Sequence, residues 1–239
     1  MIVQGAILPH APLLTRLAEA PEWDPAARIA RAVRGVRFNA PALVVLSSHG
    51  SATGVYARGI ASLHGFGLDE PRFNAPVNHV LAVEVANAWG ERLLDDELDH
   101  GVVVPLALVD ARAMTVAATL AEDTDPASAI AKGRAFAAAV RAIRAPVAFV
   151  ASANTGAALS ARAPLGLRDD AVEADRRLLE WLRTGEDDGD EVLEAVAEAG
   201  GSCGVGPLAA FAALFPGKAS VDAYESPFGV GYLVATARP

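Results

Sequence analysis

The sequence has little cysteine: Cys203 is the single one in 239 residues. One cysteine excludes a disulfide framework within the chain and a four-cysteine zinc site. No apolar run reaches the ~20 residues that a membrane-spanning helix needs, and residues 1–5 have no basic flank of the kind that begins a secretion signal. We therefore expect a cytoplasmic protein that does not bind membranes.

Basic residues are also scarce, with 20 Lys and Arg against 29 Asp and Glu, which gives a net charge of −9. A nucleic-acid-binding domain normally presents a basic face. The arginines at positions 28, 31, 34 and 37 follow a three-residue spacing that fits one solvated helix face. No nucleic-acid partner is expected. Hydrophobic residues make up 52% and charged residues 21%, which excludes intrinsic disorder and is enough for a full core.

Apolar runs alternate with helix-start signals along the chain. Asp24-Pro25 and Asp125-Pro126 are each typical of a helix start, with the carboxylate as cap and proline in the first turn. Residues 55–63 favour an extended segment near a sheet edge. Residues 102–109 also favour an extended segment, although Pro105 argues against a central strand there. The other predicted strands are residues 2–8, 42–46, 114–120, 146–153, 219–224 and 230–235, and the other predicted helices begin near His79 or cover residues 169–183, 190–199 and 203–214.

Strands that alternate with helices predict an α/β fold. We expect a single domain over residues 1–239, with three layers, a mostly parallel central sheet and helices on both faces.

Three of the five histidines lie at the ends of apolar runs. His10 follows the first predicted strand, His49 follows the second, and His100 directly precedes a hydrophobic run. Ligands of open α/β sheets bind at the carboxyl ends of the strands, where imidazoles can share a metal or act as acid and base. The alternative is that these are unrelated histidines that cap strands or hydrogen-bond turns. His64 and His79 favour structural or surface roles.

Family resemblance adds to this pattern. Residues 7–14, residues 46–50 and the segment Asp-His-Gly-Val-Val-Val-Pro-Leu at 99–106 together resemble the catalytic chains of the class III extradiol ring-cleavage dioxygenases, and the wider superfamily that includes the Memo-like proteins. Residues 151–156, 202–207 and 228–232 agree in order, so the resemblance spans essentially the whole chain. It implies the extradiol dioxygenase-like fold, O₂-dependent cleavage of a catechol or aminophenol ring, and non-haem Fe(II) as cofactor.

The resemblance also assigns roles to single residues. In the dioxygenases, two histidines and a carboxylate hold Fe(II); the metal histidines match His10 and His49, and the substrate-side histidine matches His100. Asn154 stands where the acid/base histidine belongs, and it can orient a substrate but cannot shuttle protons near neutral pH. Cys203 stands where the metal carboxylate is expected, as in the Memo-like proteins. A His10, His49 and Cys203 ligand set would suit copper or zinc better than Fe(II).

Three functions therefore stay open at this point. The first is a dioxygenase with a degenerate site, which takes a small aromatic substrate and, like related enzymes, forms a homo-oligomer. The second is a Memo-like protein that binds metal or partners without ring cleavage, and the third is a metal-assisted hydrolase in which the same histidines activate water. Glu198 or Glu225 could supply the missing carboxylate, and Cys203 could instead be a small buried residue.

Overall fold

Eight strands form the sheet on which the molecule is built. The computed structural model describes residues 1–17, 20–21, 23–68, 73–109, 113–199, 201–217 and 219–239. Its strands are β1 (Ile2–Leu8), β2 (Ala42–Gly50), β3 (Gly54–Tyr56), β4 (Ile60–Ala61), β5 (Phe73–Asn74), β6 (Leu93–Leu94), β7 (Met114–Ala121), β8 (Val147–Ser152), β9 (Ser220–Glu225) and β10 (Tyr232–Ala237). The main sheet has the order β6-β3-β7-β2-β8-β1-β10-β9, and β4 pairs with β5 separately. The four central strands β7, β2, β8 and β1 are parallel, whereas β3, β10 and β9 add antiparallel pairs.

Two of the helices, α2 and α5, begin at the Asp-Pro signals that the sequence analysis identified. The helices are α1 (Leu14–Leu17), α2 (Pro25–Gly35), α3 (His79–Trp89), α4 (His100–Leu108), α5 (Pro126–Ala142), α6 (Asp169–Thr184), α7 (Gly189–Ala199) and α8 (Val205–Leu214), with one 3₁₀ turn at His64–Phe66. Asp24 and Asp125 are N-caps, whose side chains accept hydrogen bonds from the Ala26 and Ser128 amides at 2.8 and 3.0 Å. Within the described residues, no helix combines the length and apolarity that crossing a bilayer requires.

Both faces of the sheet are covered, because successive side chains of a strand point to opposite sides. In β2, Val44 and Leu46 pack toward α3 and α5–α8, whereas Leu43 and Val45 pack toward α1, α2 and α4. Strands buried on both faces read as continuous apolar runs rather than as alternating patterns, which explains why they were visible in the sequence. The three-layer α/β prediction with a mostly parallel sheet is confirmed.

The prediction for residues 102–109 was wrong, because this segment belongs to the helix α4. Three consecutive valines favour a strand locally, but Val102, Val103 and Val104 are all buried against the sheet, and tertiary packing overrides weak helix propensity. The Asp99 side chain caps the helix by accepting from the Val102 amide at 3.1 Å. Residues 55–63 divide into the short strands β3 and β4, and the helix expected over 203–214 begins at Val205.

The contact between α5 and α8 allows no side chain at Gly133. A Cβ at this position would overlap the backbone carbonyl of Gly206, which lies on α8. We expect Gly133→Ala to lower the free energy of unfolding by about 1–3 kcal/mol, because the overlap outweighs the gain in helix propensity. Gly35→Ala, at the exposed end of α2 with no described atom within 4 Å of the added Cβ, serves as control and is expected to be neutral or stabilising by less than ~1 kcal/mol.

Urea unfolding monitored by circular dichroism measures both variants. Equal denaturation midpoints for the two glycine variants would contradict the close approach of the two helices.

Candidate metal centre

Three histidines meet at the carboxyl edge of the parallel strands. His10 follows β1, His49 lies near the end of β2, and His100 is the first residue of α4. Since β1 and β2 both pair in parallel with β8, their carboxyl ends share one edge of the sheet. The Nε2 atoms of His10 and His49 are 3.0 Å apart, and the ring centroids of His49 and His100 are 4.1 Å apart. The ligand atoms of all three side chains lie within 4.8 Å of one another, close enough to hold one metal ion.

The hydrogen bonds of His10 fix which of its ring nitrogens carries the proton. Its Nδ1 is 2.9 Å from the Ser152 hydroxyl, and that hydroxyl donates its one hydrogen to the Gly101 carbonyl at 2.5 Å. The Ser152 oxygen therefore accepts a hydrogen bond from Nδ1–H of His10. The lone pair is left on Nε2, which faces His49, and a neutral imidazole held in this way is the form that binds metals.

The Gly101 carbonyl is available because of Pro105. In an α-helix this carbonyl would accept from the amide four residues later, and proline has no N–H to donate. Gly101 also has no room for a side chain, since a Cβ there would overlap the Ser47 hydroxyl. Pro105 thus leaves the Gly101 carbonyl as a free acceptor within α4, and the Ser152 hydroxyl that donates to this carbonyl orients His10.

A second network holds His100 in place. The carboxylate of Asp99 accepts hydrogen bonds from the Val102 amide at 3.1 Å, from the Ser47 hydroxyl at 2.7 Å and from the Tyr56 hydroxyl at 2.9 Å. Burial and the neighbouring Asp99 carboxylate raise the pKa of Tyr56, so this phenol stays a donor. Because Asp99 is anchored from three sides, the first turn of α4 is held in place, and this positions His100 beside the other two histidines.

Cys203 and Asn154, which the sequence placed at the site, both contact His10. The Cys203 Sγ is 3.0 Å from Nε2 of His10, and the Ser48 hydroxyl donates to the Cys203 carbonyl. The amide oxygen of Asn154 accepts from the backbone N–H of His10 at 3.4 Å. Burial raises the pKa of the Cys203 thiol, so it is protonated at neutral pH when no metal is bound. The five residues named from the sequence thus form one cluster.

No carboxylate completes this cluster among the residues that the structure describes, where the mutually close donor atoms are those of the three histidines. Glu225 is engaged by Arg28, whose Nη2 lies 2.6 Å from its Oε1. Glu198 is on the exposed side of α7. The donor set is therefore nitrogen with a neighbouring sulfur, which suits Zn, Cu, Fe or Ni rather than Mg or Ca.

An aromatic ring and a cavity border the cluster. Phe66 is 52% exposed and its ring centroid is 4.8 Å from that of His100, so an exposed aromatic ring lies beside that histidine. On the other side, a cavity of about 320 Å³ is lined by residues that include Ser48, His49, Glu122 and Cys203.

The remaining histidines, His64 and His79, are exposed, in keeping with the surface roles expected of them.

Burial and mutual proximity keep the imidazoles of His10 and His100 neutral. Burial, with further contributions from His49 and His100, holds the pKa of His10 well below its usual value. Burial and the neighbouring His49 lower the pKa of His100 to about 4. At pH 7 both rings are unprotonated and can donate a lone pair to a metal.

The sequence analysis assigned no orienting role to Ser152 or Asp99, although both stand in its motifs, and it missed Tyr56. Ser152 carried one usable signal: it is a polar residue at the carboxyl end of the strand that lies between β1 and β2. Tyr56 carried none, because its contact with Asp99 depends on the position of β3 beside β7.

The lowered pKa values predict a loss of stability in acid for the metal-free protein. The unfolded chain binds protons on these histidines below about pH 6.5, whereas folded His100 does so only near pH 4. As the pH is lowered from 6.5 to 5, the free energy of unfolding is therefore expected to decrease, by at most ~1.4 kcal/mol per pH unit for each such histidine. Urea titrations with a chelator present measure this slope.

His100→Asn is expected to reduce that slope, whereas His79→Asn, an exposed position, keeps it unchanged. An identical slope for the two variants would show that His100 is not buried in its neutral form.

No family model matches this chain, and no curated protein does either. The chain is similar to a solved structure of an uncharacterized protein from Escherichia coli K12, with 17% sequence identity and a TM-score of 0.68. The match covers 98% of this chain and 99% of that one. At this identity the likeness shows that the two chains share a fold over their whole length.

Proposed function

We propose that this protein is a metal-dependent oxidoreductase of the class III extradiol type, which uses O₂ to cleave a small catechol or aminophenol. The observation that carries the proposal is the convergence of His10, His49 and His100, whose donor atoms lie within 4.8 Å of one another. The strand-end position of the cluster is where open α/β folds bind ligands. The sequence motifs around the three histidines agree with this type of enzyme.

The residues present fit a transition metal by their own chemistry. His10 offers an Nε2 lone pair because its Nδ1 proton is held by Ser152, and imidazole nitrogens are good ligands for Fe(II), Cu(II) or Zn(II). His10 and His49 would hold the ion, with His100 either as third ligand or facing the substrate. When bound, Fe(II) supplies the open coordination positions for O₂ and the aromatic diol.

Side chains around the metal position would bind and orient the substrate. The exposed Phe66 ring beside His100 offers an apolar face on which an aromatic ring can stack. Neutral His100 accepts a hydrogen bond from a phenolic hydroxyl, because its pKa is about 4. Asn154 has no titratable group, so the site lacks the proton shuttle that its position would otherwise supply.

A second candidate is favoured by one contact, the 3.0 Å distance from the Cys203 Sγ to Nε2 of His10. A sulfur beside two imidazoles makes a softer site, which favours copper or zinc over Fe(II). This supports a Memo-like protein that binds metal, or acts on partners, without ring cleavage.

Metal reconstitution under anaerobic conditions tests the first proposal. We expect one Fe(II) per chain and catechol-dependent O₂ uptake with a ring-opened product. His10→Ala is expected to weaken metal binding by more than ~100-fold, since even a lost outer partner of a ligand costs 10–100-fold. His79→Ala, which removes an exposed histidine, is the matched control. Fe(II) binding without O₂ uptake on any catechol or aminophenol would contradict the dioxygenase.

Cys203→Ser separates the two candidates. The dioxygenase proposal expects Fe(II) affinity and O₂ uptake to survive this change. The Memo-like proposal expects Cu(I) affinity to fall sharply, because the hydroxyl replaces a soft thiolate ligand. Competition titrations with each metal on both proteins give the answer.

A further inference from the structure

The Nδ1 atom of His49 lies in an unusual environment. The His49 side chain is only 12% exposed, and its Nδ1 atom is buried with no hydrogen-bond partner among the described residues. Its other ring nitrogen, Nε2, points at Nε2 of His10. An imidazole that binds a metal through Nε2 carries its proton on Nδ1 and almost always donates that proton to a carboxylate, a carbonyl or water. His10 has such a partner in Ser152, and His49 needs one.

Glu122 is fixed beside His49 by its backbone. Its amide N–H donates to the Gly50 carbonyl at 3.0 Å, directly after Ala121 pairs with Gly50 in the sheet. Gly50 packs closely against the neighbouring strand, since a Cβ there would overlap the Thr119 side chain. The backbone of Glu122, the residue after β7, therefore lies beside Gly50, the residue after His49.

The Glu122 side chain can reach the orphaned nitrogen. Its Oε1 is 3.8 Å from Nδ1 of His49, about 1 Å beyond a charge-assisted hydrogen bond. The side chain is 77% exposed and borders the cavity of about 320 Å³ that His49 also lines, so neither packing nor the backbone prevents this movement. Glu122 does not belong to the group of mutually close ligand atoms, so it acts on the metal through His49.

We propose that Glu122 is the positioning residue of the metal centre: its carboxylate accepts the Nδ1–H of His49 and so directs the Nε2 lone pair at the metal. The inference rests on the metal centre proposed above and assigns the partner that this centre lacks. His10 and His49 are then oriented by different means, the first by a buried serine and the second by a solvent-facing carboxylate.

Zn(II) titration by competition with a chromogenic chelator tests the assignment. Glu122→Ala is expected to weaken Zn(II) binding by ~10–100-fold, the usual effect of losing such a partner. Glu122→Gln, whose amide oxygen still accepts a hydrogen bond, is expected to recover most of that loss. Asp123→Asn is the matched control, because it removes a neighbouring exposed negative charge without touching His49.

Nitrogen-15 NMR of the histidine rings gives a second readout. In the Zn(II)-loaded wild type we expect His49 to be protonated on Nδ1, with slow exchange of that proton, and we expect faster exchange in Glu122→Ala. Zn(II) affinity that is equal in Glu122→Ala and Asp123→Asn, or a His49 proton on Nε2, would overturn the role of Glu122 alone. A wild type that binds neither Zn(II) nor Fe(II) would overturn the metal centre as well.

Discussion

The hydrogen bond from Nδ1–H of His10 to the Ser152 hydroxyl connects the fold to the chemistry of the site, because it decides where the imidazole lone pair lies. Ser152 can accept that proton only while its own hydrogen goes to the Gly101 carbonyl. That carbonyl is open because Pro105 donates nothing within α4. Three elements, β1, β8 and α4, must therefore keep their relative positions for Nε2 to face the centre of the cluster.

The start of α4 has two tasks in this arrangement. Asp99 caps the helix and gathers the Ser47 and Tyr56 hydroxyls, which fixes the helix against β2 and β3. His100 follows at once and points into the cluster, while Gly101 supplies the carbonyl for Ser152. The Asp-His-Gly motif is thus a cap, a site residue and a close backbone contact in succession, and the proline four residues later keeps the carbonyl available.

Much of this architecture could be predicted from the sequence, and the exceptions have physical causes. Central parallel strands are recognisable in the sequence as unbroken apolar runs. Each Asp-Pro pair predicts a helix start, because capping by Asp and the fixed backbone angle of Pro depend only on local interactions. Residues 102–109 were predicted as extended because β-branched residues favour strands locally, whereas the packing of α4 on the sheet makes this segment a helix. The convergence of His10 and His49 followed from topology alone, since parallel strands end at a common edge.

The orienting partners could not be found in this way. Ser152 and Glu122 lie far from their histidines in the sequence, and each contact depends on strand register. The register of β2 on β7 shifts between Ser47 and Gly50, and the Gly50–Ala121 pair beyond that shift brings the backbone of Glu122 next to Gly50. A shift of one residue would turn that side chain to the other face of the sheet.

The absence of a carboxylate from the described ligand cluster has an electrostatic consequence for whatever metal it holds. A divalent ion bound by neutral imidazoles keeps its full charge, whereas a carboxylate would neutralise half of it. At ~4 Å and an effective dielectric constant near 20, each pair of unit charges contributes about 4 kcal/mol, so a divalent ion favours a neighbouring anion by roughly twice that. A bound ion would therefore lower the pKa of the Cys203 thiol, against the effect of burial, and would favour its thiolate form. A catecholate would compensate the same positive charge, so Cys203 and an anionic substrate would compete for the metal. Binding of the Cys203 thiolate would favour a soft metal-binding protein, whereas binding of the catecholate would favour an oxygenase.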